Sequence, residues 1–533
     1  MNSEESIRIT REQGWTGGHN PWLIAFVVSM ATFMEILDTS IANVSLPHIA
    51  GNLSASQDES TWVITSYLMA NAIVLPISGW LSNRIGRKRY YMGSVMIFIL
   101  SSFMCGIAPN LGALIFFRIV QGIGGGGLGP SEQAILADTF PQPKRAMGIA
   151  VYGMAVVIAP AIGPTLGGFI TDSYSWRWIF FINIPVGILS LLLSSRLLVD
   201  PPHLVEAKKR VGPIDTIGLS LIAVGLGAME YVLDKGQEDD WFASSAITLF
   251  TIVAAVVLVS FVLWEWRQEH PVVEVKLFRD KSFAVSSLLM LTLGIAIYAP
   301  TVLLPQYTQL LMGWSSLRAG MALSPGAVVM IFLFPLAGIL ATKVDARILI
   351  ACGFGAISLG LYNIATTLYP GIDFSTAVWL RIEQMVGAAF IFVSINAVAY
   401  AGVSPAKSNQ VSGIINLMRN VGGDLGIAFV TTLIARRAQM HQERLTAHLD
   451  AANPLLASRL DGVAHSLQRA GMEMTQATQS AVGIIYKQLI QQAETLAYLD
   501  AFFVLACILA VMVPAVLLTK RVRPGATAAA GAH

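Results

Sequence analysis

The chain has 533 residues, of which 55% are hydrophobic and only 12% are charged. Soluble proteins carry about 25% charged residues, so this chain cannot cover a water-facing surface with polar groups, and its surface must face lipid. The net charge of +2 gives no indication of a nucleic-acid partner, and none is expected.

Apolar segments of about 20 residues, the length that crosses a bilayer, recur along the chain with short polar breaks. We predict fourteen such spans, at 22–47, 60–82, 89–108, 111–136, 146–170, 178–199, 215–234, 244–265, 283–307, 320–342, 347–368, 374–403, 410–435 and 497–519. Lysine and arginine concentrate in alternate loops, whereas the short loops on the other side hold only Arg177, Lys235 and Arg318. The positive-inside rule then places both termini in the cytoplasm.

The mostly polar stretch 436–496 is the exception among the loops predicted to be external. Its second half has apolar residues at Val482, Ile485, Leu489 and Leu496, near a 3.5-residue spacing. We predict a helical hairpin outside the membrane, whose second arm runs into the last span. It could fold back on its own protein, or it could be a docking surface for a partner.

Two pairs of segments reveal an internal repeat. "PISGWLSNRIG" (76–86) aligns with "PLAGILATKVD" (335–345), and "RIVQ" (118–121) aligns with "RIEQ" (381–384) at nearly the same offset. The alignment places the first predicted span opposite the ninth, and it leaves the seventh and eighth as an insertion. Parallel repeats of this kind are typical of alternating-access carriers.

The repeat predicts the domain organisation of an all-α membrane protein. The units are an N-terminal cytoplasmic tail (1–21), an N-terminal six-helix half (22–200), a linker with the two inserted helices (201–281), a C-terminal six-helix half (282–519) that contains the external loop 436–496, and a C-terminal cytoplasmic tail (520–533).

Acidic residues inside an apolar span are costly and therefore usually functional. Asp38 in the first span and Arg118 in the fourth lie at similar depths from the predicted external side. They could share a polar cavity in which the carboxylate binds and releases a proton, or they could form a static ion pair that fixes helix packing. Glu35 lies one helical turn before Asp38, and two carboxylates so close rarely ionise together. Either acid could carry the proton, while the other attracts a cationic substrate.

Other polar and aromatic residues of the predicted spans could line a substrate cavity. These candidates are Asn43, Tyr67, Asn71, Gln121, Tyr298, Tyr307, Arg381, Glu383, Asn416, Arg419 and Asp424. Arg381 could instead pair with Glu383 in a structural role. Glu230 and Asp234, near the external end of the seventh span, are expected at the membrane interface.

A further group of residues could control opening of the two sides. Pro160 and Pro164 interrupt the helical hydrogen-bond ladder and allow a bend, while the glycines let helices approach closely. The basic loop after the second span could clamp the two halves through an acid such as Asp138, or it could only determine topology. The gating candidates are Gly79, Asn83, Arg84, Gly86, Arg87, Gly163, Pro164, Gly167 and Gly168.

No feature of the sequence indicates an enzyme. Cys105, Cys352 and Cys507 lie in apolar runs at unrelated spacings and are interpreted as small hydrophobic residues. None of the eight histidines falls at ligand spacing within a predicted helix, and "GIGGGGLG" (122–129) has no strand before it, as a dinucleotide loop would need. We expect neither a metal nor a cofactor.

Several motifs resemble those of a known transporter family. "GWLSNRIGRKR" (79–89) resembles the loop signature of the major facilitator superfamily, with Asn83 where Asp is common. "APAIGPTLGG" (159–168) is similar to the antiporter signature of the fifth helix, and "LDTSIANVSLP" (37–47) to the first-helix signature of fourteen-helix drug:proton antiporters. Asp38 lies inside this last signature, which favours it over Glu35 as the proton carrier.

"WRWIFFINIPVG" (176–187) and "LDKGQEDDWF" (233–242) extend the resemblance to the EmrB/QacA family, and most of all to its EmrB-type members. The resemblance implies the major facilitator fold and proton-driven export of hydrophobic or amphipathic compounds across a bacterial inner membrane. It also implies a periplasmic adaptor protein and an outer-membrane channel as partners, with the loop 436–496 as the docking region. A fatty-acid exporter of the same fold and a passive channel remain as alternatives.

Overall fold

The computed structural model describes residues 5, 9, 13–141, 144–202, 204–205, 215–401, 403, 407–447, 449 and 454–518. Apart from short turns, these residues form α-helices and 3₁₀ helices. The α-helices are α1 (Pro21–Leu53), α2 (Gln57–Ile85), α3 (Arg87–Gly106), α4 (Leu111–Gly125), α5 (Leu128–Thr139), α6 (Arg145–Ser173), α7 (Trp178–Phe181), α8 (Asn183–Leu197), α9 (Thr216–Lys235), α10 (Ser245–Arg267), α11 (Lys281–Leu310), α12 (Ser316–Lys343), α13 (Ala346–Thr367), α14 (Phe374–Met385), α15 (Ala388–Ala401), α16 (Ser408–Thr446), α17 (Pro454–Arg469) and α18 (Met474–Ala515). The all-α fold class is confirmed, while the predicted tail 520–533 lies outside the described residues.

Polar residues at the helix starts satisfy backbone N–H groups that have no partner inside the helix. Ser56 and Glu59 form a reciprocal capping box at the start of α2, with distances of 2.8 and 3.1 Å. Asn110 and Asp215 cap α4 and α9 through side-chain oxygens that accept backbone N–H bonds. These caps explain why the apolar runs begin where they do.

Each predicted span overlaps one helix or two consecutive helices. In the described part of the chain, eleven helices are long and apolar enough to cross a membrane, and the bent α6 makes a twelfth. Helices α3 and α16 are long enough but more polar, so the count of fourteen spans stays a prediction at these two segments. The first helix continues beyond the predicted span end at residue 47: α1 runs to Leu53, and Pro47 lies inside it.

The internal repeat is visible in the packing of the helices. Within the halves, α1 packs along α6, and the equivalent α11 packs along α16. Between the halves, α6 packs along α12, and the equivalent α2 packs along α16. We call the end with the α2–α3 junction (85–87) the basic end, and the opposite end, which carries α17, the hairpin end.

The inserted helices differ in how deeply they pack. Helix α9 contacts α2 and α16, so it lies across the seam between the two halves. Helix α10 packs mainly on α9, and only 17% of its apolar stretch is buried. Helix α10 therefore faces lipid along most of its length, whereas α9 is part of the transporter wall.

The stretch 436–496 forms extensions of two membrane helices and a third helix between them. Helix α16 continues to Thr446, and α18 runs without a break from Met474 to Ala515, as predicted for the second arm. Helix α17 packs on α18 through small residues, with Ala464 against Ala477 and Ala481.

Proline positions in both halves leave backbone carbonyls without their helical N–H donors. Pro164 cannot donate to the Pro160 carbonyl, and the Ser40 hydroxyl of α1 donates to this oxygen at 3.1 Å. In the C-terminal half Pro300 cannot donate to the Ala296 carbonyl, and the Gln384 amide donates there at 3.0 Å. Helix α6 is bent by 44° between Pro160 and its next segment, as the sequence predicts.

We expect Ser40→Ala to lower the thermal unfolding temperature in detergent, because an unsatisfied buried carbonyl costs about 1–3 kcal/mol. Thr39→Ala is the matched control, since among the described residues the Thr39 hydroxyl donates only to the Glu35 carbonyl of its own helix, at 3.4 Å. Equal unfolding temperatures for the Ser40→Ala variant and the wild type would show that α6 does not depend on this bond.

Candidate functional site: buried charges in and between the two halves

An ion pair between Asp38 and Arg118 lies in the interior of the N-terminal half. Arg118 Nη1 donates to Asp38 Oδ2 at 2.5 Å, and the two residues are 0% and 1% exposed. The guanidinium also lies 4.3 Å from the centroid of the Tyr67 ring. The structure thus brings together the acid and base that the sequence places at matching depth.

Neutral amides complete the surroundings of this ion pair. Gln121 donates to Asp38 Oδ1 at 3.1 Å and accepts from Arg118 at 2.8 Å. Asn183 donates to the same Asp38 oxygen at 2.6 Å, while Arg118 Nε donates to the Val63 carbonyl at 2.8 Å. The cluster therefore joins α1, α2, α4 and α8. Our sequence analysis missed Asn183, although it lies within the quoted motif 176–187.

The C-terminal half repeats this geometry without the acid. Arg381 Nη1 donates to Gln384 at 2.6 Å, as Arg118 does to Gln121, and its Nη2 donates to the Thr301 hydroxyl at 2.8 Å. The spacing that separates Arg118 from Arg381 also separates Asp38 from Thr301, so Thr301 occupies the position equivalent to Asp38. A hydroxyl thus replaces the carboxylate in the second half.

Glu35 has a different environment from Asp38. Its Oε1 accepts hydrogen bonds from the Tyr67 hydroxyl at 2.8 Å and from the Asn71 amide at 3.0 Å, and the side chain is only partly buried. Glu35 also interacts electrostatically with Arg419 of the other half. A Cβ at Gly125 would lie 2.6 Å from the Tyr67 hydroxyl, so only glycine lets α4 approach this site.

A chain of hydrogen bonds crosses from one half to the other near Glu35. Arg419 donates to the Tyr152 hydroxyl at 3.0 Å, and that hydroxyl donates to Asn416 at 2.7 Å. The Asn416 amide then donates to Gln133 at 2.7 Å. Predicted cavity residues of α16 therefore contact α5 and α6, which belong to the N-terminal half.

Glu132 is a buried acid that our sequence analysis missed. It is 0% exposed, and its Oε1 accepts a hydrogen bond from the Ser29 hydroxyl. In the described part of the chain its second oxygen has no hydrogen-bond donor. Its position could have identified it as a candidate, because Glu132 is an acid inside the predicted span 111–136.

Other candidates lie away from Glu35. Asn43 is exposed on α1. Tyr307 packs edge-on against Tyr498, with ring centroids 5.4 Å apart. Glu383 is exposed and accepts a hydrogen bond from Asn363 at 2.6 Å, so the Arg381–Glu383 pairing that we considered does not form.

Two more of the predicted cavity residues, Tyr298 and Asp424, lie against or on α16. A Cβ at Gly423 would lie 2.6 Å from the Tyr298 ring, so Tyr298 packs closely on this helix, and its place in a substrate cavity stays a prediction. Asp424, which we placed in the same cavity, lines a separate cavity together with Glu230. Glu230 is 4% exposed, so it faces the protein interior and not interfacial water, contrary to our expectation.

Arg87 ties the two halves together at the basic end. Its guanidinium donates to Asp138 at 2.7 Å within the N-terminal half. It also donates to Asn409 at 2.9 Å and to Ser408 at 3.0 Å, both at the start of α16. The Asn409 amide donates in turn to Asn83 at 2.7 Å. This network corresponds to the clamp that the basic loop suggested.

The remaining gating candidates divide by their contacts. A Cβ at Gly79 would lie 2.9 Å from the Asn409 carbonyl oxygen, and Gly86 has a φ of +102° that favours glycine. Gly163 and Gly167 pack on α1, whereas a Cβ at Gly168 would meet no atom within 4 Å. The guanidinium of Arg84 lies 5.4 Å from the Trp80 ring centroid.

The two packed repeats, with buried charges inside one half and between the halves, define a polytopic membrane transporter of the two-half carrier type. The sequence pattern of the Major Facilitator Superfamily matches residues 28–427. The chain belongs to this superfamily.

Relatives in the same superfamily are similar over nearly the whole chain. Multidrug export protein EmrB of Escherichia coli K12 is 35% identical, over 96% of this chain and 98% of that protein. Fatty acid resistance protein FarB of Neisseria gonorrhoeae is 36% identical, over 93% and 96% of the two chains. A crystal structure of a double tryptophan mutant of XylE has a TM-score of 0.60 at 14% identity, covering 95% of this chain and 97% of that one. This last similarity shows the fold alone.

We expect Arg87→Ala to open the basic end, because it removes the donors that reach Asn409 and Ser408. The measurement is the rate at which a membrane-impermeant maleimide modifies a cysteine introduced by Ser412→Cys, at a position that is 0% exposed. The background carries Cys352→Ser and Cys507→Ser, because both native thiols are exposed. The rate should rise severalfold.

Two further variants make this test specific. Asn409→Ala removes two bonds between the halves, those with Arg87 and Asn83, but leaves the guanidinium of Arg87 bound to Asp138 and Ser408, so it should raise the rate to a smaller extent. Lys88→Ala is the matched control, because Lys88 donates to the Ser195 carbonyl of its own half at 2.6 Å. An equal rate in the Arg87→Ala and Lys88→Ala variants would contradict the clamp.

Proposed function

We propose that the chain is a proton-coupled antiporter that exports hydrophobic and amphipathic compounds from the cytoplasm, with both termini cytoplasmic. The similarity to EmrB, a multidrug export protein, supports the substrate class. Entry of protons down their gradient would drive the cycle, since the membrane potential supplies roughly 2.3 kcal/mol per charge per 100 mV.

Glu35 is the better proton carrier of the two acids in α1. The observation that carries this assignment is the difference in their partners: Asp38 pairs with Arg118, whereas Glu35 accepts hydrogen bonds from a hydroxyl and an amide. Protonation of Asp38 would leave the buried Arg118 charge without its partner, which costs about 3–5 kcal/mol. Glu35 forms no direct ion pair in the described part of the chain, so its protonation only weakens the longer-range attraction to Arg419.

In the proposed cycle, Glu35 takes up a proton from one side of the membrane and releases it to the other. Its interaction with Arg419 crosses the interface between the halves, so the loss of the Glu35 charge weakens an attraction between them. Proton uptake from the external side would then favour the return to the inward-open state. Proton release to the cytoplasm would accompany substrate loading. The Asp38–Arg118 pair holds α1 in the position that Glu35 needs.

We expect Glu35→Gln to abolish substrate-induced proton movement in proteoliposomes, while drug binding is retained. Asp38→Asn should mainly lower the thermal unfolding temperature, because Arg118 loses its charged partner. Glu383→Gln is the matched control, since Glu383 is an exposed acid of a membrane helix, and its transport should equal that of the wild type.

The opposite result for the two acids would overturn the assignment. If Glu35→Gln still moved protons, and a well-folded Asp38→Asn protein did not, Asp38 would be the carrier. Transport that persists without any proton gradient in the wild type would instead favour a passive channel.

A fatty-acid exporter is the second candidate, because the chain is 36% identical to FarB, a fatty acid resistance protein. The same proteoliposomes distinguish the two functions. Long-chain fatty acids would compete with drug transport if both use one cavity, and they would replace drugs as the stimulus of proton movement if they are the substrate.

We further propose that the chain is the inner-membrane component of a tripartite efflux pump, in which 436–496 docks a periplasmic adaptor that leads to an outer-membrane channel. Apolar side chains on α17 and α18 support this role: Leu455 is 79% exposed, and Val482 and Tyr486 are also exposed. Val482 does not join the packed stripe that we predicted, which leaves it free for a partner.

We expect a photo-crosslinking amino acid at Leu455 or Val482 to capture one protein in living cells of the native host. Mass spectrometry should identify it as a membrane fusion protein. Leu249, an exposed apolar residue on the lipid-facing helix α10, is the control position and should not capture it. If neither hairpin position crosslinks to such a protein, the docking role is wrong.

A further inference from the structure

A cavity of about 230 Å³ lies beside the inserted helix, apart from the Glu35 site. Helix α9 forms one wall, and α2 and α16 contribute the others. The lining residues are Leu68, Glu230, Leu233, Asp234, Gln237, Glu238, Asp424, Ile427, Ala428 and Thr431. The cavity therefore lies at the seam between the two halves, on the side covered by the insertion.

The cavity is strongly acidic. Glu230 on α9 and Asp424 on α16 both line it, so two carboxyl groups from different helices face one cavity. Glu230 is 4% exposed, and its Oε2 accepts no hydrogen bond in the described part of the chain. A buried carboxylate oxygen without a donor is costly, so this geometry is suited to a positively charged ligand.

The neighbouring polar groups do not neutralise these two acids. Asp234 accepts a hydrogen bond from the Thr65 hydroxyl. Lys235, the next residue, points to Glu238 at 2.6 Å and to Thr61 at 2.7 Å. Among the described residues, neither lysine nor arginine lines the cavity. The carboxyl groups of Glu230 and Asp424 therefore have no cationic side chain beside them among the lining residues.

Another part of the lining is apolar. Leu68, Leu233 and Ile427 come from the three different helices. An apolar cavity of about 150 Å³ already accommodates benzene, so the volume here is sufficient for one aromatic ring and a small charged group. The described residues offer no group of three or more His, Cys, Asp or Glu side chains that could hold a metal ion. An organic cation fits this combination better than an inorganic one.

We propose that this cavity binds a monovalent amphipathic organic cation, whose charged group lies between Glu230 and Asp424 while its apolar group packs on the leucine and isoleucine side chains. The site would give the inserted helix a direct part in substrate recognition. Its use as an export subsite rests on the proposed antiport function, whereas the binding itself does not.

The test is equilibrium binding of benzyltrimethylammonium to the purified full-length protein in lipid nanodiscs, without a proton gradient. Glu230→Gln and Asp424→Asn should each weaken binding by roughly tenfold or more, as expected when a buried charge loses its partner. Glu383→Gln, which changes an exposed acid that does not line the cavity, should bind like the wild type. The uncharged isostere 2,2-dimethylpropylbenzene should not distinguish Glu230→Gln from the wild type.

Two results would overturn the proposal. Wild-type affinity of both acid variants for benzyltrimethylammonium would show that the acids do not bind the cation. Equal weakening for the cation and its uncharged isostere would show that the variants only alter the cavity shape. Glu35→Gln separates this proposal from the proposed function: it should lose proton movement and keep benzyltrimethylammonium binding.

Discussion

The structure depends on one constraint: a charge in an apolar interior needs a partner of opposite sign or a full set of hydrogen bonds. Arg118, with no exposed surface, meets this constraint by drawing Asp38, Gln121 and the Val63 carbonyl around its guanidinium. These contacts fix α1, α2 and α4 relative to one another. The N-terminal half is therefore built around an ion pair, and Glu35, an acid of the same helix outside this pair, is the one for which we propose a response to changes between the halves.

The two halves share their packing but not their charges. Arg381 keeps the hydrogen bond to Gln384 that Arg118 makes to Gln121, so the duplicated geometry persists where the equivalent of Asp38 is Thr301. Proline-freed carbonyls are also satisfied in both halves, by Ser40 in one and by Gln384 in the other. Duplication thus supplied a symmetric scaffold, and substitution of single polar side chains concentrated the acidic residues of the central region in the first half.

The sequence was sufficient for features that depend on composition and local pattern. The apolar spans, the repeat, the Asp38–Arg118 contact and the Arg87–Asp138 contact all follow from residue type and position along a helix. Features that depend on how each helix is rotated about its axis, and on which neighbour it therefore contacts, could not be predicted. Depth along a span says nothing about rotation, so Tyr307 was placed near the cavity although it packs on Tyr498. Of the apolar stripe predicted on α18, Leu489 is buried and Ile485 and Leu496 are partly buried, whereas Val482 is exposed, because α17 packs on Ala477 and Ala481 instead.

Helix α16 connects the parts of the protein that would have to move together. It begins at the basic end with Ser408 and Asn409, carries Asn416 and Arg419 between the halves, and extends over 39 residues into the hairpin, about 58 Å at 1.5 Å per residue. Near the hairpin end Asp500 of α18 lies 2.9 Å from His441 and 3.6 Å from Arg437, so the two long helices are joined there. The Arg87 contacts at one end and the His441–Asp500 contact at the other therefore act on the same unbroken helix.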